Sequence, residues 1–157
     1  MDTINGLPAH PLFVHLAVVA IPLAALLALV AAVWPAARTR LSVLPLIVAT
    51  VAMIITPLTT SAGESLRKHT ESSPELTRHA DLGGQMIGWV ATLFVLTVLL
   101  WALHQDWLLA RLPARPSAGA TRIITIALAV ATVVVAVGTV VMVILVGDAG
   151  ARATWAN

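Results

Sequence analysis

Residues 12–34 read LFVHLAVVAIPLAALLALVAAVW, and this stretch decides the fold. It contains one imidazole, at His15, and no residue with a formal charge. A helix of about 20 apolar residues crosses the hydrocarbon core of a bilayer. The stretch therefore predicts a membrane span.

Three further runs have the same character, so the predicted spans lie at about residues 12–34, 41–62, 83–103 and 123–146. The whole chain is 59% hydrophobic and only 10% charged, whereas soluble domains are about 25% charged. Residues 35–40 form a short connection, and residues 104–122 contain the helix breakers of LPARPSAGA. We predict an all-α integral membrane four-helix bundle of two antiparallel transmembrane hairpins, in a single domain over residues 1–157.

Several function classes are excluded or unsupported by composition. The formal net charge is +2, and no Lys/Arg run indicates a nucleic-acid surface, so we expect no nucleic-acid partner. The chain contains no cysteine, which excludes disulfides and thiolate metal sites. Neither a nucleophile elbow nor a phosphate-binding glycine loop is present. We assign no catalytic residue, and whether the protein is an enzyme stays open.

Basic residues in the loops predict the orientation. Five arginines lie on the side of the two short connections, at Arg38, Arg40, Arg111, Arg115 and Arg122. The other side has four basic residues and most of the acids. Because cytoplasmic loops are enriched in Lys and Arg, we expect both termini outside the cytoplasm.

Histidines concentrate at the predicted outer end of the bundle. His10, His15 and His79 lie within about one helical turn of that end. His15 is inside the first span, and since an imidazole in lipid is costly, we expect it to point into the bundle. The motif SSPEL predicts a helix that starts at the N-cap Ser73 and continues into the membrane. His79 then shares a helix face with Leu82, Gly83 and Met86.

Two patterns around these histidines leave alternatives open. GQMIG at residues 84–88 is either a small-xxx-small packing surface or room for a flat ligand held by His79. The two hairpins also resemble faint copies of each other, in which His15 corresponds to His79. In that alignment Gly63-Glu64 and Arg67 of the first hairpin match Gly147-Asp148 and Arg152 of the second.

The histidines suggest a cofactor, because four-helix bundles commonly hold one between facing helices. Two inward imidazoles suffice for haem b, and we predict His15 and His79 as ligands. His10 would support them or replace one of them, and Gly83 and Met86 lie beside them. Copper or zinc is the alternative, again on His15 and His79. In a third interpretation the histidines are hydrogen-bonding caps. In this interpretation the other polar candidates at this end form plain ion pairs. These candidates are Glu64, Arg67, Asp148 and Arg152.

Three stretches carry a family resemblance: AHPLFVHLAVVAIPLAALL at residues 9–27, HADLGG at 79–84 and GDAGARATW at 147–155. They resemble a bacterial domain-of-unknown-function family of small four-helix membrane proteins with an HP-x-x-VH opening motif. The matching positions are His10, Pro11, Val14, His15, His79, Gly147 and Gly150. The chain has Asp148 where the family often shows histidine, and Ala151 in place of the second glycine.

The resemblance implies a multi-pass protein of the bacterial plasma (inner) membrane. Because relatives occur beside Rieske-type redox domains, it also implies electron transfer with a redox protein or quinone. Our working function is therefore haem b binding for electron transfer. The alternatives are a non-enzymatic accessory or assembly subunit of a larger membrane complex, and a metal-handling membrane protein. Self-association through GQMIG fits any of them.

Overall fold

The computed structural model describes residues 3–4, 7–111 and 113–155, with side chains from His10 onward. Two short strands, β1 (Thr3–Ile4) and β2 (Leu7–Pro8), form an antiparallel hairpin before the first helix. Six helices follow: α1 (Ala9–Val33), α2 (Pro35–Leu41), α3 (Leu44–Arg67), α4 (Pro74–Ala102), α5 (Asp106–Leu109) and α6 (Ala118–Trp155).

Four of these helices, α1, α3, α4 and α6, are long and apolar enough to cross a membrane. The predicted all-α membrane bundle of two helical hairpins is therefore confirmed. The helices extend beyond the predicted spans. α3 continues through Gly63 to Arg67, and α6 continues through Gly147 and Gly150 to Trp155, because an isolated glycine lowers helix propensity by only about 1 kcal/mol.

The start of α4 follows the local signal in the sequence. Ser73 has extended backbone angles, and its hydroxyl accepts a hydrogen bond of 3.1 Å from the Leu76 N–H. Pro74 occupies the first helical position, where its missing N–H costs nothing. The predicted N-cap is confirmed, and it fixes His79 in the second turn of the helix.

The first helices of the two hairpins, α1 and α4, lie diagonally opposite each other in the bundle. α1 packs against α3 and α6, and α4 packs against the same two helices. The core of the α1 side is built from alanines, among them Ala24, Ala25 and Ala28, each at most 1% exposed. Small side chains let helix backbones approach closely where lipid gives no hydrophobic driving force.

Buried positions reveal an internal repeat. The buried residues of α4 are Met86, Val90, Leu93, Thr97 and Leu100, and a constant shift along the chain relates them to Ala17, Ile21, Ala24, Ala28 and Ala31 of α1. A second constant shift relates Pro45, Ala49, Ala52, Ile55 and Ala62 of α3 to Thr132, Ala136, Thr139, Met142 and Ala149 of α6. The two hairpins are therefore copies related by a pseudo-two-fold axis along the bundle.

Buried threonines in the bundle satisfy their hydroxyls within their own helices. Thr56, Thr97, Thr132 and Thr139 each donate to the carbonyl four residues earlier, at 2.7–2.8 Å. Within the described residues, no buried side-chain nitrogen or oxygen lacks a partner. This is what a hydrocarbon environment requires, since it offers no hydrogen bonds of its own.

The two ends of the bundle differ, and we name them by their residues. The His pole contains the starts of α1 and α4 with His10 and His79, and the ends of α3 and α6. The Arg pole is the opposite end, where α2 and α5 connect the long helices and where Arg38 lies.

Gly138 on α6 provides the clearest packing test. A Cβ atom there would overlap the ring of Trp89, whose Cη2 would be 2.6 Å away. We expect Gly138→Ala to lower the free energy of unfolding by about 1–3 kcal/mol, the usual cost of overpacking. Gly88→Ala is the matched control, since its Cβ would meet no atom within 4 Å. Equal stability of the two variants, measured by unfolding in mixed micelles, would contradict the Trp89–Gly138 contact.

Candidate functional site

The site begins with His10, in the first turn of α1. Its ring Nδ1–H donates to the carbonyl oxygen of Thr59 on α3, at 3.1 Å. Gly63, one turn after Thr59, makes room for the ring: a Cβ atom there would lie 3.0 Å from Cε1 of His10. The imidazole therefore packs against α3 and links the two helices of the first hairpin.

His79 repeats this arrangement in the second hairpin. Its Nδ1–H donates to the carbonyl oxygen of Val146 on α6, at 3.0 Å. Gly150, one turn further, has the role of Gly63, since a Cβ atom there would lie 3.0 Å from Cε1 of His79. The shifts that relate the buried cores also relate His10 to His79, Thr59 to Val146 and Gly63 to Gly150.

The two imidazoles meet on the diagonal of the bundle. Their ring centroids are 6.4 Å apart, and their planes are inclined by 80°. α1 and α4 are otherwise the less closely packed pair, so the rings lie near the pseudo-two-fold axis at the His pole. The repeat thus delivers one imidazole from each hairpin to one place.

The hydrogen bonds determine where the protons of these rings lie. A carbonyl oxygen can only accept, so each Nδ1 must hold a proton. In a neutral imidazole the lone pair is then on Nε2. Among the described residues, neither Nε2 has a hydrogen-bond partner. The site therefore offers two imidazole nitrogens as ligands or acceptors.

His15 does not take the place that we expected. Its side chain is exposed, and its Nδ1–H donates to the carbonyl of Pro11 in the same helix at 2.6 Å. The expectation that His15 points into the bundle is wrong. The physical reason is that His15 lies on a different face of α1 from His10, and helix packing turns the His10 face inward. The repeat alignment of His15 with His79 is wrong for the same reason.

The other polar residues singled out at this end remain at the surface. Asp148 and Arg152 form an exposed ion pair at 2.9 Å, with side chains 49% and 64% exposed. Glu64 and Arg67 are exposed, and within the described residues no ion pair joins them. Exposed pairs contribute about 0–1 kcal/mol.

The glycines of α4 do not pack within this chain. A Cβ atom at Gly83, Gly84 or Gly88 would meet no atom within 4 Å. Gly84 and Gly88 are exposed, whereas Gly83 is half-buried, one turn after His79. Met86 is buried at 6% exposure, two turns after His79. Gly84 and Gly88 thus lie on an outward face of α4, while Met86 of the same motif faces the core.

No group of three or more His, Cys, Asp or Glu side chains in the described residues could hold a metal ion. A structural zinc site takes four protein ligands and a catalytic one three. The described structure brings together a pair of imidazoles instead.

Sequence reasoning missed Thr59, the contact of Gly150 with His79 and the inward position of His10. The dipeptide Ala-Gly occurs at residues 62–63 and again at 149–150, at the ends of α3 and α6. This repeat is the signal that gives the correct alignment. It was obscured by the similar Gly-acid pairs at residues 63–64 and 147–148.

We expect Gly63→Ala and Gly150→Ala each to displace the adjacent imidazole and weaken its hydrogen bond. Relative to Gly147→Ala, whose Cβ would meet no atom within 4 Å, each variant should lose about 1 kcal/mol of unfolding free energy. All three gain the same helix propensity, so the difference isolates the ring contact. The ¹⁵N chemical shift of the histidine Nδ1 should change in the two variants only. Unchanged shifts would contradict the packing of the rings on these glycines.

A family described as "Predicted membrane protein (DUF2231)" matches residues 6–157, which is nearly the whole chain. No curated protein and no solved structure matches the chain.

Proposed function

This chain belongs to the DUF2231 family of predicted membrane proteins, and we propose that it binds haem b through His10 and His79 for electron transfer at the His pole. The single observation on which the proposal depends is the pair of imidazoles, one from each hairpin, with centroids 6.4 Å apart.

The hydrogen bonds of the two rings support this proposal. Metal-binding histidines usually donate their second N–H to a carbonyl or carboxylate, which fixes the ring and increases its basicity. His10 and His79 both donate to backbone carbonyls, from Thr59 and Val146. The donor chemistry of the site therefore fits a haem iron, which the two Nε2 atoms would hold.

The separation of the rings also fits. A metal–imidazole bond is about 2.0 Å, and about 1 Å separates the bound nitrogen from the ring centre. Two imidazoles on opposite sides of one metal then have centroids about 6 Å apart. The observed separation of 6.4 Å agrees with that arrangement.

Haem fits the donor set better than copper or zinc does. Zinc takes three or four protein ligands, whereas the described site contributes two imidazoles. Haem also needs apolar surroundings for its ring system, and the half-buried Gly83 and the buried Met86 lie on the same helix below His79. Copper or zinc at this pair is the less favoured form of the same proposal.

When bound, haem supplies one-electron redox chemistry. The part of the protein is to hold the two rings. The backbone carbonyls of α3 and α6 orient His10 and His79. Because the rings belong to different hairpins, ligation would also join the two halves of the bundle. A redox protein or a quinone is the partner that this function requires.

We expect the purified protein, reconstituted with haem b, to show a Soret band and α and β bands on reduction. His10→Ala and His79→Ala should each abolish the low-spin spectrum, because one axial ligand is lost. His15→Ala is the matched control: it removes an exposed imidazole from the same helix and should leave the spectrum unchanged.

Three further results test this assignment, and the first of them distinguishes ligation from folding. His79→Met should retain haem with a raised reduction potential, since a Met/His pair raises the potential of haem. Bands that survive both alanine substitutions would overturn the ligand assignment. A protein that stays colourless after reconstitution would overturn the haem proposal itself.

The outward glycine face favours a second candidate, an accessory or assembly subunit of a larger membrane complex. Gly84, Gly88 and Thr92 lie on one exposed face of α4, with open space beside both glycines. Faces of this kind pack closely against another helix in membranes. A second copy of the chain would occupy the same face if the protein self-associates.

The proposed location is the bacterial plasma (inner) membrane, with the His pole and both termini outside the cytoplasm. The excess of arginines at the Arg pole supports this orientation. Since the chain contains no native cysteine, single cysteines can report it.

Ser72 and Ser117 are exposed residues at opposite poles, before α4 and α6. We expect Ser72→Cys to react with an impermeant maleimide on intact spheroplasts, and Ser117→Cys to react only after the membrane is permeabilised. The reverse pattern would overturn the orientation while leaving the fold unaffected.

A further inference from the structure

A cavity of about 530 Å³ lies at the Arg pole, between α1, α2, α3 and α4. Its inner wall is made of buried apolar side chains, including Ala28 and Ala31 of α1 and Leu100 of α4. Its mouth is lined by polar residues, among them Arg38, Ser42 and His104. The volume falls in the range of small-molecule sites, which is about 300–1,000 Å³.

Arg38 lies at the mouth as a partly buried cation. Its Nε donates to the carbonyl of Ala31 at 2.7 Å, and one terminal nitrogen donates to the carbonyl of Ala32 at 3.0 Å. The other terminal nitrogen donates to Nε2 of His104 at 2.6 Å, while Nδ1 of His104 donates to Leu100. All these partners are uncharged. Within the described residues, no carboxylate lies at ion-pair distance from Arg38.

The Arg38 guanidinium therefore has a charge that no carboxylate neutralises and N–H groups that have no partner among the described residues. It has five N–H groups, of which three have the partners above. Burial lowers the pKa of Arg38 below its usual value, which reflects the cost of holding this charge away from water. An arginine fork is suited to bidentate recognition of phosphate.

The backbone turn at Ser42 also forms part of the cavity mouth. Ser42 has φ 49° and ψ −116°, an unusual conformation for a residue other than glycine. Its N–H donates to the Arg38 carbonyl at 3.1 Å, which closes the turn after α2. Non-glycine residues in such conformations concentrate at ligand sites and turns that the surrounding structure holds in place.

The charge balance of this pole is strongly positive. Its loops contain five arginines against the single acid Asp106. Arg38 is the one of these arginines that lines the cavity. Arg111 instead stacks over the ring of Trp107 at 5.3 Å. Clusters of this kind next to a membrane attract anionic lipid.

We propose that this cavity binds the phosphate headgroup of an anionic membrane lipid, with Arg38 as its counter-ion. The phosphate accepts from the remaining N–H groups of Arg38 and from the Ser42 hydroxyl, and the apolar part of the lipid covers the alanine wall. A free phosphate ion would share the contact with Arg38 but would leave that wall uncovered. The site is at the opposite end of the bundle from the paired imidazoles and is independent of haem.

Native mass spectrometry of the full chain tests the site, after exchange into micelles with equimolar phosphatidylglycerol and phosphatidylcholine. We expect one phosphatidylglycerol to be retained in preference to phosphatidylcholine. Arg38→Gln should reduce this preference about tenfold, the effect of losing one charge-assisted contact. Arg40→Gln is the matched control, because it removes an exposed charge from the same short helix and should retain the preference.

A second variant separates binding from folding, since Arg38 also caps the end of α1. Ala31→Leu leaves Arg38 intact and fills the cavity, and we expect it to lose the preference as well. Retention by Ala31→Leu, or an equal loss in Arg40→Gln, would overturn the proposal. Inorganic phosphate tests whether the ligand is a free phosphate ion instead. If it raises the melting temperature of the protein as much as phosphatidylglycerol does, the lipid assignment is overturned.

Discussion

Hydrocarbon offers no hydrogen bonds, and this constraint governs the whole structure. Each polar group inside the bundle needs a partner from the protein, and the backbone carbonyls supply it. The buried threonines use carbonyls of their own helices, since their hydroxyls are short. His10 and His79 instead donate to carbonyls of the neighbouring helix, where Gly63 and Gly150 leave room for the rings. These two contacts fix the end of each hairpin.

Because the hairpin is repeated, the histidine–carbonyl contact occurs twice, and the two imidazoles form the candidate site. A single histidine on a carbonyl is a structural feature, whereas two related by a pseudo-two-fold axis meet on the diagonal of the bundle. The copies differ in bulk. Trp89 packs on Gly138, while the equivalent positions of the first hairpin are Ala20 and Val51. The larger side chain of this pair lies on the first helix of one hairpin and on the second helix of the other. This exchange preserves the packing and keeps the pseudo-two-fold axis near the two rings.

The poles are chemically distinct because different groups end the helices there. At the His pole, each imidazole donates its Nδ1–H to a backbone carbonyl, and among the described residues its Nε2 has no hydrogen-bond partner. At the Arg pole, a guanidinium meets the carbonyls at the end of α1, where the helix dipole favours a cation. We therefore propose a haem site at the His pole and an anion site at the Arg pole. Both proposals follow from how helix ends are satisfied in a membrane.

The sequence by itself determined the four spans and the start of α4, because apolar length and the cap at Ser73 are local properties. It also located the polar ends. Only the tertiary structure decided which histidine points inward. α1 is apolar on every face, so its pattern does not indicate whether the face of His10 or that of His15 is buried. The choice depends on contacts with α3, where Gly63 leaves room for a ring. The alignment of the two hairpins depends on the same contact, since Gly150 rather than Gly147 accommodates His79.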